Sequence, residues 1–184
     1  ALQIPSNLTE RTVERDLLPM AREMGLGVLP WSPLAGGVLS GKYRAADLDA
    51  PKGEANPRFD SRKQINLATG RLSERNLAIA TLAATIAGEL GCTPAQVALA
   101  WTLLNPAVTS PILGVRTLAQ LRDNRGALQR HHLDQGPAGD DHPSHVLGDV
   151  AREAVDLLAD VDELPPERGG APAGESGELL QLLA

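Results

Sequence analysis

Residues 26–43 read LGVLPWSPLAGGVLSGKY, and the rest of the chain is organised around this stretch. The apolar run over residues 26–29, which ends at Pro30, is typical of a short strand buried in a parallel sheet. Residues 32–41 then supply three glycines and two serines, so the backbone can approach a ligand closely and present its N–H groups. Lys42 adds a positive charge at the far end. The stretch therefore predicts a buried strand followed by a loop suited to a polyanion.

The same residues also fit a simpler interpretation, because a glycine- and serine-rich segment after a strand is often only a turn. Trp31 has two interpretations as well. It is either a core aromatic or, because Ser-Pro rather than more apolar residues follows it, a platform for a ligand ring.

Two further motifs stand in order around this stretch. Leu-Gln-Ile at residues 2–4 lies upstream, and GCTPAQVALAW at 91–101 with ILGVRTLAQLRDN at 112–124 lies downstream. Together with WSPLAGGVLSGKY, these motifs resemble the aldo-keto reductase family, in the branch that includes the β-subunits of voltage-gated potassium channels. The resemblance covers about residues 1–128.

The periodicity of residues 1–128 predicts three strands that alternate with helices, which indicates an α/β fold. The strands are expected at 1–4, 26–29 and 108–113, and Pro111 is tolerated in the third only where hydrogen bonding is irregular. Helices are expected to begin at Thr9 or Thr12, at Ser73, at Thr93-Pro94 and near Thr117, and residues 44–70 read as one long polar connection. The resemblance implies that these units are strands six to eight of a (β/α)8 barrel, so that the chain begins at a cut edge and is a partial TIM barrel.

Charge divides the chain at about residue 129. Residues 1–129 carry 14 Lys and Arg against 11 Asp and Glu, whereas residues 130–184 carry 3 against 12. We therefore predict a cofactor-binding part over 1–129 and an acidic, partly helical or disordered tail over 130–184. The tail holds all four histidines, His131, His132, His142 and His145, whose spacing matches no closed metal site, so we predict no metal.

Other features of the composition bound the function. A single cysteine, Cys92, fits a reducing compartment, and no apolar run is long enough to span a membrane, so we expect a cytoplasmic protein. Nucleic acid is not expected as a partner, because no basic stripe interleaved with aromatics occurs. The aromatic content of only 2% means that the core must be aliphatic.

The resemblance implies NADP(H) as cofactor. Gln3 would hydrogen-bond the carboxamide of the nicotinamide and Trp31 would stack on its ring. Lys42 and Arg58 would clamp the pyrophosphate, with Arg62 or Arg44 as alternatives to Arg58. The backbone of five consecutive residues would wrap the same group: Ser32, Pro33, Leu34, Ala35 and Gly36.

The turn after the third strand would complete the site. By the resemblance, Gly114 allows close approach and Arg116 pairs with the 2′-phosphate, which favours NADPH over NADH. Gln120, Asp123 and Asn124 share one face of the last helix and would meet the adenine and its ribose. A solvated polar face is the alternative for these three residues.

The family reduces aldehydes or ketones by hydride transfer, with a tyrosine as proton donor tuned by lysine, histidine and aspartate. Residues 1–129 contain no histidine, and Tyr43 is the only tyrosine. Tyr43 beside Lys42 imitates a Tyr/Lys pair, but it belongs to the cofactor loop, so we assign no catalytic residue. Ser6, preceded by Pro5, stands where family members often carry an aromatic.

Three hypotheses follow. The chain is the C-terminal part of an NADPH-dependent carbonyl reductase, which alone is inactive; or a nucleotide-sensing or partner-binding module like the channel β-subunits; or a degenerate gene product. With only three β-α units, the inner face of the sheet is uncovered, so we expect self-association.

Overall fold

The computed structural model describes residues 1–49 and 61–133, the last five of them by backbone alone. Two strands, β1 (Leu2–Pro5) and β2 (Val28–Trp31), pair in parallel with Leu2 opposite Val28 and Pro5 opposite Trp31. Five helices accompany them: α1 (Leu17–Glu23), α2 (Arg62–Ala68), α3 (Glu74–Glu89), α4 (Pro94–Leu104) and α5 (Leu118–Leu133). The expected α/β class is confirmed.

The third strand is present only as two isolated bridges. Val108 pairs in parallel with Val28, and Ile112 pairs in parallel with Trp31, so this segment lies beside β2 on the side away from β1. Pro111 has no N–H to donate, and the N–H groups of Thr109 and Ser110 both reach the carbonyl of Val28, at 2.9 and 3.4 Å. The strand expected over 108–113 is thus reduced to bridges, and the hydrogen bonding around Pro111 is irregular, as expected for a strand that contains proline.

The strand expected at residues 26–29 begins and ends two residues later. Trp31 is its last residue rather than the first residue after it. Pro30 does not end the strand. Its missing N–H is not needed for pairing with the third segment, because its carbonyl accepts the hydrogen bond from the N–H of Ile112 at 2.7 Å.

The first helix does not begin as expected. Neither Thr9 nor Thr12 caps α1; a short 3₁₀ turn at Thr12–Glu14 comes first, and Asp16 occupies the N-cap position without a side-chain hydrogen bond. Pro19 is the third helical residue and so lies in the first turn, where its missing N–H needs no intrahelical partner.

The second half of the connection 44–70 is also not a simple loop. Helix α2 forms there because Ser61 and Gln64 make a capping box, in which the side chain of each bonds the backbone N–H of the other. The helices α3 and α4 begin at Ser73 and Thr93 as expected, with both hydroxyls accepting a backbone N–H. Arg58 and the tail beyond residue 133 lie outside the described residues.

Two clusters of buried apolar side chains form the interior. The larger, here called the loop core, joins the segment after β2 to α2, α3 and α4; it comprises Leu8, Ala35, Val38, Leu39, Leu67, Leu72, Ile79, Ala80, Ala83, Ile86, Ala87, Val97 and Ala98. The smaller, here called the sheet core, lies between the sheet and α1; it comprises Ile4, Val13, Leu18, Ala21 and Val28. Helix α4 packs on both α3 and α5.

Candidate functional site

The loop after β2, residues 32–41, contains five residues in left-handed backbone conformation. Positive φ occurs at Ser32 (56°), Ala35 (48°), Gly36 (67°), Gly37 (89°) and Gly41 (73°). Backbone that alternates between right- and left-handed residues forms concave nests of N–H groups, which bind anions. A left-handed conformation costs a non-glycine residue about 1 kcal/mol, so Ser32 and Ala35 hold local strain of the kind found at ligand sites.

Apolar anchors hold the loop in this shape. Val38 and Leu39 are completely buried in the loop core, and Ala35 is nearly so. The hydroxyl of Ser40 donates to the carbonyl of Gly37 at 2.7 Å. The backbone geometry is therefore fixed by contacts within the chain, before any ligand binds.

One side chain from α2 closes over the loop. Asn66 is completely buried, and its Nδ2 donates to the carbonyl of Gly36 at 3.1 Å and to the hydroxyl of Tyr43 at 3.4 Å. A Cβ at Gly36 would overlap Oδ1 of Asn66, so only glycine fits there. Among the described residues, Oδ1 of Asn66 is the one buried side-chain polar atom without a hydrogen-bond partner.

Cations gather at the end of the loop. The ammonium of Lys42 lies 4.9 Å from the centroid of the Tyr43 ring, and it would be 2.8 Å from a Cβ on Gly37. Arg44 is exposed and donates to the carbonyl of Gly41 at 3.3 Å. Arg62, the other alternative to Arg58, is exposed at the first position of α2.

An ion pair joins the end of this region to α2. Lys63 donates to a carboxylate oxygen of Asp47 at 2.6 Å. This hydrogen bond, helped by one from the backbone N–H of Arg44, holds the pKa of Asp47 below its ordinary value of 3.8. The pair connects the two described segments on either side of residues 50–60.

Gln3 and Trp31 lie on one face of the sheet. In the parallel register Gln3 is opposite Leu29 and Pro5 is opposite Trp31, so these four side chains project to the same side. This face is open: Gln3 is exposed, the exposed fraction of Trp31 is 36%, and that of its neighbour Ile112 is 41%. Trp31 is therefore not a core aromatic, and its ring is available to a ligand.

The turn after the third segment begins at the same edge as the loop. Ile112 bridges to Trp31, so the two chain segments leave adjacent parallel strands in the same direction. Gly114 is exposed and has open space around it. The N–H of Arg116 donates to Oε1 of Gln120 at 2.8 Å, and Thr117 caps α5 by accepting from the N–H of Gln120 at 3.2 Å. The loop and this turn thus flank one end of the sheet.

The three polar residues expected to meet adenine differ in their surroundings. Gln120 is exposed, whereas Asn124 is 8% exposed. The carboxylate of Asp123 accepts from the hydroxyl of Thr93 at 3.1 Å and from Nε2 of Gln96 at 3.1 Å. Asp123 therefore also fastens α5 to the N-terminus of α4.

The sequence interpretation missed Asn66. Its helix was assigned to the connection 44–70, although Ser-x-x-Gln at residues 61–64 is a signal for a helix start. The contact itself spans 30 residues, from Asn66 to Gly36, and no local pattern indicates it.

Within the described part of the chain, no single helix is long and apolar enough to cross a membrane. Helices α3 and α4 reach the required length and composition only as a pair, across a bend of 99°.

Comparison with known proteins places these features in a family. Residues 1–136 match the sequence model of the Aldo/keto reductase family. The chain is 43% identical over 123 residues to the protein named Uncharacterized oxidoreductase YrpG of Bacillus subtilis (strain 168), a match that covers 67% of this chain and 33% of that protein. It is 40% identical over 116 residues to a probable voltage-gated potassium channel subunit beta of Oryza sativa subsp. japonica, covering 63% and 34%. The chain thus spans about a third of the length of the curated relatives it matches.

The structure resembles that of the glycerol dehydrogenase AKR11B4 from Gluconobacter oxydans. The TM-score is 0.57 at 24% sequence identity, and the match covers 93% of this chain and 45% of that one. This likeness concerns the fold alone.

Proposed function

Because this chain belongs to the aldo/keto reductase family, we propose that it binds NADP(H) at the end of the sheet where the loop and the second turn meet. The observation that carries the proposal is the set of five residues with positive φ between Ser32 and Gly41, three of them consecutive, with Lys42 directly after them. A backbone nest with a flanking ammonium is a site for a phosphate group. Glycine at position 37 lets the ammonium of Lys42 lie close to the backbone of the loop, since a Cβ there would be 2.8 Å from it.

Each predicted residue has a role in this proposal. The backbone of residues 32–36 and the side chain of Lys42 bind the pyrophosphate, and an arginine from residues 44–62 adds to that charge. Arg116 binds the 2′-phosphate, which favours NADPH over NADH. Gln120, Asp123 and Asn124 contact the adenosine. Gln3 and Trp31, which share the open face of the sheet, hold the nicotinamide.

We further propose that β1, β2 and the segment 108–112 are the sixth to eighth strands of a (β/α)8 barrel. Three parallel segments in the order β1, β2, third segment support this. NADPH, when bound, supplies a hydride, and the whole protein would deliver it to an aldehyde or ketone. The proton donor is proposed to lie outside this chain, because Tyr43 is its only tyrosine and belongs to the cofactor loop, beside Lys42. By itself the chain is then a cytoplasmic cofactor-binding part without turnover.

A second candidate function is partner binding controlled by nucleotide. It is favoured by relatives named as potassium channel β-subunits in Oryza sativa subsp. japonica and Arabidopsis thaliana, which are 40% and 38% identical to this chain over 116 residues. Both functions begin with the same cofactor site. Self-association through the open face of the sheet, which exposes Trp31 and Ile112, is proposed for the isolated chain.

A fluorescence titration tests the proposal. The chain has two tryptophans, Trp31 and Trp101, so a Trp101→Phe background leaves Trp31 as the reporter. We expect NADPH to quench Trp31 in a saturable way and inorganic pyrophosphate to weaken its binding. The proposal is contradicted if about 1 mM NADPH causes no quenching, because binding with a free energy of only roughly −4 kcal/mol would still be detected at that concentration. A second experiment separates the reductase from the second candidate. If the chain is part of a reductase, an aldehyde should be turned over only after a polypeptide that supplies the proton donor is added.

A further inference from the structure

We propose that Asn66 is a positioning residue for the phosphate-binding loop, holding its middle and its end in the shape that accepts the cofactor. The inference rests on the proposed function, since it assigns to Asn66 a role in the affinity for NADPH. Asn66 contacts the loop and belongs to a helix outside it.

The first contact fixes one peptide plane from both sides. The carbonyl of Gly36 accepts from Nδ2 of Asn66 at 3.1 Å, and the N–H of Gly37 in the same peptide donates to the carbonyl of Leu34 at 2.7 Å. This plane joins Gly36 and Gly37, the two residues at φ of 67° and 89°. Glycine has access to many backbone conformations, so a bond that selects one of them reduces the entropy lost when a ligand binds.

The second contact holds the end of the loop. The same Nδ2 donates to the hydroxyl of Tyr43 at 3.4 Å, and the ring of Tyr43 lies below the ammonium of Lys42 at 4.9 Å. One buried amide therefore joins the carbonyl of Gly36 to the aromatic ring that orients Lys42. Removal of the amide frees both the nest and its cation.

Packing alone does not account for an asparagine at this position. Asn66 is completely buried, and its Oδ1 has no partner among the described residues, which is unfavourable for stability. Leucine has the same branched shape and the same number of side-chain heavy atoms, none of them polar. The gain that offsets this unpaired oxygen is the pair of hydrogen bonds to the loop.

Two variants and a matched control test the inference in the Trp101→Phe background. Asn66→Leu keeps the branched shape and removes the donor amide, and Asn66→Ala removes the side chain beyond Cβ. The control is Asn76→Ala, because Nδ2 of Asn76 also donates to a backbone carbonyl, that of Arg71 at 3.0 Å, which lies outside the loop. We would measure three quantities for each variant: the Kd for NADPH, the thermal midpoint of unfolding, and the rate of amide hydrogen exchange over residues 32–43 without cofactor.

We expect Asn66→Leu and Asn66→Ala to weaken NADPH binding by about tenfold, the effect of one to two lost hydrogen bonds. Their loop amides should exchange about tenfold faster, because local opening becomes easier. Asn76→Ala should lower the thermal midpoint and leave the Kd within about twofold, the range of a change that does not reach the site. The inference is overturned if the Asn66→Leu variant binds NADPH with the wild-type Kd and its loop amides exchange at the wild-type rate. If the wild-type chain binds no NADPH, the proposed function fails, and the exchange data alone then decide whether Asn66 holds the loop.

Discussion

The loop core and the sheet core differ in how completely they are enclosed. The loop core is covered by α2, α3 and α4, and it contains fully buried residues of the loop itself, Val38 and Leu39. The sheet core is covered by α1 on one side only, and the opposite face of the sheet leaves Trp31 and Ile112 exposed. The first region is closed by contacts within the chain, whereas the second is not.

This difference separates the two ends of the proposed cofactor site. The nest around Gly36 and Gly37, which would hold phosphates, is shaped by Asn66 and by the loop core. The face with Gln3 and Trp31, which would hold the nicotinamide, has no cover among the described residues. We therefore expect phosphate recognition to survive in the isolated chain, with the nicotinamide end more dependent on additional polypeptide.

The largest effect is expected at Gly36. Gly36→Ala should cost about 4 kcal/mol of unfolding free energy, the sum of a left-handed alanine and a displaced buried side chain. The control is Gly70→Ala, since Gly70 has a similar φ of 70° but open space around it, and about 1 kcal/mol is expected there. Urea denaturation measures both. Equal losses at the two glycines would mean that the loop is not closed by Asn66.

The next effect compares the two cores directly. Leu39 in the loop core and Leu18 in the sheet core are both buried. Leu39→Ala should destabilise the chain by about 3 kcal/mol, and Leu18→Ala by about 2 kcal/mol, because the less enclosed sheet core relaxes more readily around the lost side chain. Denaturant midpoints report the order. A larger loss at Leu18 would show that the sheet, rather than the loop, is the better enclosed region.

The open face should govern association. Ile112→Lys places a charge beside Trp31, and we expect it to raise the concentration needed for self-association by about tenfold, with a stability change within about 0.5 kcal/mol. Leu118→Lys is the control, because Leu118 is 60% exposed on α5 rather than on the sheet. Sedimentation velocity over a concentration series measures both. If Leu118→Lys acts more strongly, the associating surface is not the sheet.

The smallest effect concerns the ion pair next to the loop. The pKa of Asp47 is lowered from 3.8 in the folded chain, mainly by the hydrogen bond from Lys63. The contribution of the Asp47 carboxylate to folding stability is therefore fully present above its pKa in the unfolded chain. It is lost as the pH falls through its lower pKa in the folded chain. The thermal midpoint of Asp47→Asn should lie slightly below that of wild type at neutral pH, and the gap should close below pH 3.8. A gap that persists in acid would mean that Asp47 acts through packing rather than charge.

Local signals predicted the parts of the fold that depend on local chemistry. Ser73 and Thr93 were assigned as helix caps, and both accept a backbone N–H as a cap does. The strands were placed less well, since β2 extends to Trp31 and Pro111 interrupts the third segment. Strand pairing depends on neighbours distant in sequence, and a short apolar run does not specify where pairing stops.

In the candidate site, too, the local backbone pattern could be predicted from the sequence, whereas the tertiary contacts could not. The glycine- and serine-rich pattern indicated a loop that approaches a ligand, and the structure gives Gly36, Gly37 and Gly41 positive φ. The pattern did not indicate Asn66, because its contact with Gly36 forms only after α2 folds back over the loop. Nor did it indicate that Asp123 bonds Thr93 across two helices. Tertiary contacts of this kind leave no local signal.

Calorimetric titration of the chain with NADPH and, separately, with NADH tests the central claim most directly. We predict saturable binding of both cofactors, with NADPH bound about tenfold more tightly through its 2′-phosphate and Arg116. Arg116→Ala should reduce the two affinities to similar values. No saturable heat with either cofactor, or equal affinities in the wild-type chain, would contradict the account of the loop and second turn as an NADPH site.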